Sequence, residues 1–158
     1  MKSIASFTID HLKLLPGLYV SRKDLVNNEV ITTFDLRVCR PYHEAPLGTA
    51  GIHAVEHIAA TYLRNDPKWG DKIIYFGPMG CRTGFYLIVA GDYNSLDIWP
   101  LVYNCFKSIE SFTDSIPGNS KQECGNCLDM DLLEARRHAR SYVNTLKDIN
   151  VNQLVYPK

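Results

Sequence analysis

The sequence predicts an α+β fold in which helices pack on one face of an antiparallel sheet. Three observations favour this class. Short segments alternate apolar and polar residues, as strands do, longer segments repeat apolar residues at helical spacing, and a turn-rich connection joins two of the strands. Because a length of 158 residues is that of one ordinary domain, we expect a single compact domain over residues 1–158.

Four segments are predicted as strands, since they alternate or are rich in β-branched and aromatic side chains: residues 5–9, 30–38, 72–76 and 85–89. The second should end at Arg40-Pro41, because proline cannot continue a ladder. The last two are joined by residues 77–84, which are rich in glycine and proline. This connection places Cys81 at its tip, where reactive groups tend to lie.

Three helices are predicted, at residues 53–65, 94–112 and 129–147. A flexible entry at residues 48–51 precedes the first helix. Asn94 or Ser95 can cap the second, but Pro100 lacks an N–H donor and predicts either a kink or a later start. Residues 117–127 are predicted as a loop that connects the second helix to the third.

Composition argues against several classes of partner. Lysine plus arginine equal aspartate plus glutamate at 17 each, so no global field attracts nucleic acid or an anionic membrane. No apolar segment approaches the roughly 18 to 20 residues that cross a bilayer, and the N-terminal segment lacks the apolar core of a signal peptide. We therefore expect a cytoplasmic protein whose partner is a small molecule or another protein.

The first predicted helix carries a metal-binding pattern. His53 and His57 are four residues apart, so both imidazoles point the same way and can share one metal ion. Glu56 lies on the same side but is offset, where a carboxylate can move protons without binding the metal. His-x-x-Glu-His is the inverted zinc-helix pattern, and the sequence therefore predicts a metalloenzyme.

The third ligand is left open by the residues alone. A catalytic metal needs a third protein ligand, with the fourth position left to water or substrate, and the downstream candidates are Glu123, Cys124, Cys127, Asp129 and Glu134. Glu134 would suit an inverted-motif metallopeptidase. Cys124 and Cys127 offer thiolates instead, and together they could also form a structural zinc module or a redox pair.

The remaining cysteines and Arg37 are interpreted from the residues next to them in the sequence. Flanking glycines argue against burial of Cys81, whereas Cys39 and Cys105 lie on apolar segments and are predicted to pack in the core. Arg37, within an apolar strand, either pairs with Asp35 or binds substrate oxygens.

Several segments together resemble the S-ribosylhomocysteine lyase (LuxS) family. The matching segments run in family order over nearly the whole chain: Ser6-Phe7 with Asp10-His11, Phe34-Asp35 with Arg37, Cys39 and Pro41, the His53 to His57 pattern, Gly77-Pro78-Met79-Gly80-Cys81 with Thr83 to Leu87, and Glu123-Cys124-Gly125. The chain departs from the family pattern at Tyr75 and Arg82, and Cys127 is additional.

The resemblance implies a role for eight residues. One divalent metal per subunit would be held by His53, His57 and Cys124, with Fe(II) as the native ion and Zn(II) or Co(II) able to substitute. Glu56 and Cys81 would act as general acid and base. The remaining three would line the substrate pocket: Ser6, His11 and Arg37.

The resemblance also implies the reaction and the assembly. The activity would be cleavage of S-ribosylhomocysteine to homocysteine and 4,5-dihydroxy-2,3-pentanedione, the precursor of autoinducer-2, by carbonyl migration and β-elimination. The fold would be an α+β homodimer that holds substrate where the subunits meet. A metallopeptidase is the alternative that the histidine pattern alone leaves open.

Overall fold

A four-stranded antiparallel sheet organises the chain. The computed structural model describes residues 7–157. Strands β1 (Gly17–Val26), β2 (Glu29–Arg37), β3 (Ile73–Pro78) and β4 (Gly84–Ala90) lie side by side in the order β1-β2-β4-β3. Each neighbouring pair is antiparallel, which confirms the predicted type of sheet.

The β1–β2 hairpin is closed by two asparagines. Asn27 and Asn28 have φ angles of 48° and 69°, and positive φ at both central residues is typical of the tight turns that match strand twist. Asparagine tolerates this conformation better than most residues. The turn sets the register in which Gly17 lies opposite Arg37, so it places Arg37 at the end of the hairpin that is furthest from the turn.

Three helices accompany the sheet: α1 (Thr49–Arg64), α2 (Ser95–Glu110) and α3 (Leu132–Lys147). Short 3₁₀ turns lie at Gly70–Lys72 and Val151–Gln153. The start of α2 is fixed by a capping box, in which the Asn94 N–H donates to the Asp97 carboxylate at 2.7 Å. The side chain of Asp131 accepts from the Glu134 N–H at 2.9 Å and caps α3 in a similar way.

The core lies between the helices and one face of the sheet. Large side chains from this face pack with the helices in one buried cluster. Phe85 of β4 meets Phe106 of α2 at a ring-centroid distance of 6.1 Å, and Phe106 meets Tyr142 of α3 at 4.8 Å. The helices therefore cover this face, as the sequence predicts.

The opposite face of the sheet carries buried polar groups. Because side chains alternate along a strand, Tyr19 of β1, Asp35 of β2 and Tyr86 of β4, which lie side by side in register, point away from the helical core. The C-terminal segment covers part of this face, and Tyr156 stacks on Tyr19 with ring centroids 4.8 Å apart and an interplanar angle of 11°.

Two predictions about elements need correction, and one strand was not predicted. Residues 5 and 6 of the predicted first strand lie outside the described residues; residue 7 is in a 3₁₀ turn and residues 8 and 9 are bends, so no strand forms there. The sheet takes its edge strand from β1 instead, which the sequence analysis did not predict. For α2, where Pro100 predicts either a kink or a later start, the later start is wrong: the helix begins at Ser95 and runs through Pro100, because the capping box stabilises its first turn and proline removes only one donor.

Smaller differences affect the other two helices. Helix α1 begins at Thr49 instead of residue 53, and the entry segment predicted as flexible forms its first turn. Helix α3 begins at Leu132 instead of residue 129, where Asp131 ends the preceding loop. None of the helices found in residues 7–157 is long and apolar enough to span a bilayer.

Candidate metal centre and active-site residues

Three side chains from two parts of the chain form a group that could hold a metal ion. His53 and His57 lie one turn apart on α1, and Cys124 belongs to the loop between α2 and α3. The ligand atoms all lie within 4.8 Å of one another, and Cys124 Sγ is 3.4 Å from His53 Nε2. The geometry therefore brings together the three residues that the resemblance implies as ligands.

Backbone carbonyls orient both imidazoles. The Nδ1 atom of His53 is 2.8 Å from the Asp129 carbonyl oxygen, and Nδ1 of His57 is 2.8 Å from the Pro117 carbonyl oxygen. A carbonyl only accepts, so each Nδ1 carries the proton and each Nε2 keeps its lone pair for a metal.

One loop supplies the thiol and both carbonyls, since Pro117, Cys124 and Asp129 all lie between α2 and α3. Gly118 follows the carbonyl that orients His57, and its φ of +69° is in the left-handed region that favours glycine. A Cβ atom there would lie 3.0 Å from His57 Nδ1. The loop therefore needs glycine to approach the histidine closely.

The donor set fits a divalent metal. Two imidazoles and one thiolate suit Zn(II) or Fe(II), and three protein ligands leave one coordination position for a water or substrate oxygen. Tetrahedral ligand atoms about 2.0–2.3 Å from a metal are separated from one another by roughly 3.5 Å. This separation is compatible with ligand atoms that all lie within 4.8 Å of one another.

The competing third ligands do not join this group. Within residues 7–157 the metal-ligating cluster includes neither Cys127 nor Glu134. The Glu134 carboxylate accepts instead from the Gly51 N–H in the first turn of α1, at 2.9 Å. This role explains the nearby glycines, because a Cβ at Gly48 or Gly51 would collide with the Glu134 side chain. The structure therefore does not support the metallopeptidase alternative, which requires Glu134 as a ligand.

Glu56 faces a small cavity beside the metal group. This cavity, of about 290 Å³, lies between α1 and the β3–β4 connection and is lined by His53, Glu56, Met79, Gly80 and Arg82, among others. Glu56 thus comes from the same helix as the two histidines and shares a cavity with one of them. The arrangement suits a group that transfers protons next to a metal-held substrate.

Cys81 lies in a second, larger cavity with the predicted substrate-binding residues. The cavity has a volume of about 600 Å³, and its lining includes His11, Arg37, Cys81, Thr83 and Tyr86. Cys81 is exposed, as its flanking glycines predict. Ser6, the third residue predicted for the substrate pocket, lies outside the described residues.

Glu56 and Cys81 therefore line different cavities within one chain. Met79 and Gly80 line both cavities, so the two adjoin at the β3–β4 connection.

Arg37 contacts three side chains. Its Nε and Nη2 donate to the two oxygens of Asp35 at 3.1 and 2.5 Å, and its Nη1 donates to Thr83 Oγ1 at 2.5 Å. The same Nη1 is 3.9 Å from Cys81 Sγ. Arg37 and Asp35 are only 2% and 1% exposed, so the pairing interpretation is confirmed and the arginine also reaches the thiol.

This environment favours the thiolate of Cys81. Burial raises the pKa of the thiol, but hydrogen bonds from Thr83 and the charge of Arg37 outweigh burial and bring the pKa below its ordinary value. Because Thr83 Oγ1 accepts from Arg37, its proton is free to point at Cys81 Sγ, 3.1 Å away. Cys81 can therefore serve as a base.

Cys39 and Cys105 behave differently. Both are buried, as predicted. Burial raises the pKa of Cys39 to about 11 and raises the pKa of Cys105 further. Neither thiol is available as a base near neutral pH.

Sequence reasoning missed three contributors to the site. The Pro117 and Asp129 carbonyls are backbone atoms, which leave no residue signature. Thr83 lies in a segment that matches the family, but nothing in its spacing predicts that it joins Arg37 to Cys81.

Comparison with known proteins gives one consistent result. The model of the family described as S-Ribosylhomocysteinase (LuxS) matches residues 4–153. The chain is 54% identical over 158 residues to a protein of Clostridium beijerinckii, with 99% of each chain covered. It is 51% identical over 158 residues to a protein of Finegoldia magna, with both chains fully covered, and 53% identical to one of Desulfotalea psychrophila.

All three relatives are named S-ribosylhomocysteine lyase. A match at this identity over the full length, together with a cluster of His53, His57 and Cys124 that could hold a metal, leads to one conclusion: this chain belongs to the S-ribosylhomocysteinase (LuxS) family.

Proposed function

We propose that this protein is an S-ribosylhomocysteine lyase, a carbon-sulfur lyase that releases homocysteine and 4,5-dihydroxy-2,3-pentanedione. The observation that carries the proposal is the pairing of a His-His-Cys metal group with a separate activated thiol. A metallopeptidase has no use for the second of these. The family membership and the name shared by its full-length relatives support the same activity.

We assign the metal ligands as His53, His57 and Cys124. When bound, the metal supplies a Lewis acid for the carbonyl and hydroxyl oxygens of the sugar. The donor set suits Fe(II) and Zn(II) alike, and the family resemblance favours Fe(II) as the native ion, with Zn(II) or Co(II) as substitutes. The whole chain, residues 1–158, acts as one domain.

Glu56 and Cys81 move the protons. Each carbonyl shift moves a proton from one sugar carbon to the neighbouring carbon and a hydroxyl proton between their two oxygens. The final elimination removes a proton from carbon as the carbon–sulfur bond breaks and homocysteine leaves as its thiolate. The Cys81 thiolate, held by Thr83 and Arg37, takes protons from carbon. The Glu56 carboxylate, beside His53, carries protons between oxygens.

The larger cavity binds the substrate. Arg37 presents Nη1 towards this cavity, and His11 is fixed by a hydrogen bond between Nδ1 and the Ile9 carbonyl oxygen, 2.9 Å apart. We assign substrate contacts to His11 and Arg37, and to Ser6 from the sequence pattern.

The protein works as a cytoplasmic homodimer. Within one chain, Glu56 and Cys81 line adjoining cavities rather than one, and a shared interface would allow the two groups to face the same substrate. In this arrangement, each active site combines Glu56 of one subunit with the partner's Cys81.

Two substitutions test these roles. Cys81→Ala and Glu56→Gln should each retain metal at wild-type stoichiometry, because neither residue is an assigned ligand. Each should lower homocysteine release by at least about 100-fold, the usual contribution of a general acid or base. The measurement is metal content by mass spectrometry alongside a thiol assay with S-ribosylhomocysteine. Turnover within a few-fold of wild type in either variant would contradict the assignment.

A further inference from the structure

A continuous chain of contacts, buried at its centre, leads from the C-terminal segment to the Cys81 thiol. Tyr156 donates its hydroxyl to Asp35 Oδ2 at 2.9 Å. Asp35 holds Arg37 through both carboxylate oxygens, and Arg37 Nη1 reaches Thr83 and the sulfur of Cys81. Asp35 and Arg37 have almost no solvent exposure, so this chain of contacts has little competition from water.

The C-terminal segment is held firmly enough to fix that hydroxyl. The Tyr156 ring stacks on Tyr19, and Tyr19 itself is fully buried, with its hydroxyl donated to the Leu15 carbonyl oxygen at 2.8 Å. Nearby, Gln153 Nε2 donates to the Pro16 carbonyl oxygen at 3.0 Å. The Tyr156 hydroxyl therefore approaches Asp35 in a defined direction.

We propose that Tyr156 is a positioning residue for the lyase reaction: its hydroxyl fixes the Asp35 carboxylate, which in turn holds Arg37 against the thiolate of Cys81. This inference rests on the proposed function only for the role of the thiolate as a base. Tyr156 lies beyond residues 4–153, the part of the chain that the family model matches.

The geometry of this chain of contacts gives Tyr156 its effect. The Tyr156 hydrogen bond fixes the plane of the Asp35 carboxylate, and that plane sets the direction in which Arg37 Nη1 reaches Thr83 and Cys81. Burial raises the pKa of Asp35, and the charge of Arg37 and the hydrogen bond from Tyr156 oppose that rise. The hydroxyl thus helps to keep Asp35 ionised and its plane aligned with the guanidinium.

Besides Arg37 and Thr83, other polar or titratable groups surround the thiol: Cys39, Glu44, Tyr86 and His11. The hydrogen bond that the Tyr156 hydroxyl donates leads to Asp35 rather than to these groups. A change confined to Tyr156 therefore reaches Cys81 through Asp35 and Arg37.

The test is the pH dependence of Cys81 alkylation in the metal-loaded full chain. Iodoacetamide reacts with the thiolate, and trypsin releases residues 73–82, in which Cys81 is the only cysteine. The extent of labelling is read by mass spectrometry. Tyr156→Phe should move the midpoint of the profile to higher pH and slow labelling at pH 7 about threefold, with the same plateau rate at high pH.

Tyr19→Phe is the matched control. It removes the other hydroxyl of the stacked pair, which lies 2.8 Å from the Leu15 carbonyl oxygen and 3.4 Å from the Asn152 carbonyl oxygen and does not donate to Asp35, so the wild-type midpoint is expected. An equal shift in Tyr19→Phe, or no shift in Tyr156→Phe, would overturn the proposal. A chain that ends at Val155 lacks both the ring and the hydroxyl of Tyr156 and should shift the midpoint in the same direction. An unshifted midpoint in this truncated chain would also contradict the proposal.

The measurement needs no substrate, so it separates this inference from the proposed function. A midpoint shift in Tyr156→Phe, combined with no homocysteine release by the wild-type protein, would support the contact chain and count against the lyase assignment alone.

Discussion

Cys39 and Cys81 both contact Thr83, yet their thiols lie in opposite environments. Cys39 Sγ is 3.7 Å from the Thr83 carbonyl oxygen in the buried core, whereas Cys81 Sγ lies 3.1 Å from the Thr83 hydroxyl at a cavity wall. The first thiol is a packing group with a raised pKa. The second has a lowered pKa because donors and a cation face it.

Cys124 and Cys127 provide a second contrast between cysteines. They belong to the same loop and both are partly exposed, but only Cys124 joins the histidines. Cys124→Ser should lower bound metal at least about tenfold after dialysis, since a hydroxyl replaces a thiolate ligand. The measurement is metal per chain by mass spectrometry.

Cys127→Ser is the control for this substitution, and it should retain wild-type metal and a wild-type melting temperature. Full occupancy in Cys124→Ser would contradict the assignment. Loss of metal or unfolding in Cys127→Ser would instead indicate a structural site built on both cysteines.

Individual residues were predictable to different extents. The histidine spacing predicts the two ligands on α1 directly, and the resemblance adds Cys124 and Cys81. The contact between Tyr156 and Asp35 was not predictable, because it joins residues 121 positions apart in the sequence and no local pattern indicates such a contact.

At the scale of elements, α3 holds the start of α1. Glu134 accepts from the Gly51 N–H, and the Asp131 N–H donates to the Ala50 carbonyl oxygen at 3.0 Å. The first turn of a helix has free N–H groups that need acceptors, and Gly48, which precedes α1, provides no side-chain cap. Glu134 therefore acts as a cap supplied by another helix.

Glu134→Ala should lower the free energy of unfolding by about 1–2 kcal/mol, the usual effect of losing a helix cap, while metal stoichiometry stays at the wild-type value. Urea unfolding and metal analysis of the same samples provide the two readings. Glu29→Ala, at an exposed glutamate at the start of β2, should change neither. If Glu134→Ala lost metal while its free energy of unfolding stayed at the wild-type value, Glu134 would be a metal ligand rather than a cap.

The elements show why sequence patterns sometimes fail. Strands β3 and β4 were predicted because β-branched and aromatic residues mark them, and helix α1 was predicted because its apolar residues recur at helical spacing. Strand β1 was missed, since it lies at the edge of the sheet and its outer half carries exposed charged residues such as Lys23, which hide the alternation. Residues 7–9, the described part of the predicted first strand, alternate without forming a strand, because alternation is necessary for a half-buried strand but does not specify its partner.

At the scale of the whole molecule, two cavities adjoin at the β3–β4 connection, one with Glu56 and one with Cys81. If a dimer places the Glu56 cavity of one subunit against the Cys81 cavity of its partner, two inactive variants should complement each other. A mixed dimer of Glu56→Gln and Cys81→Ala subunits then holds one intact site.

Equal amounts of the two variants, unfolded and refolded together, should recover about a quarter of the wild-type rate per chain, since about half of the dimers are mixed and each has one working site of two. Each variant refolded alone is the control. Sedimentation should give twice the 17.9 kDa chain mass. No recovery in a verified mixed dimer would place both groups in the site of a single subunit.

Cleavage of S-ribosylhomocysteine by this chain can be measured directly. Anaerobically purified, metal-loaded protein is incubated with that substrate, free homocysteine is quantified with a thiol reagent, and the dicarbonyl product is trapped with a 1,2-diamine. We expect equimolar thiol and dicarbonyl, both abolished by removal of the metal. No thiol release by the metal-loaded wild-type protein would contradict the proposed lyase activity.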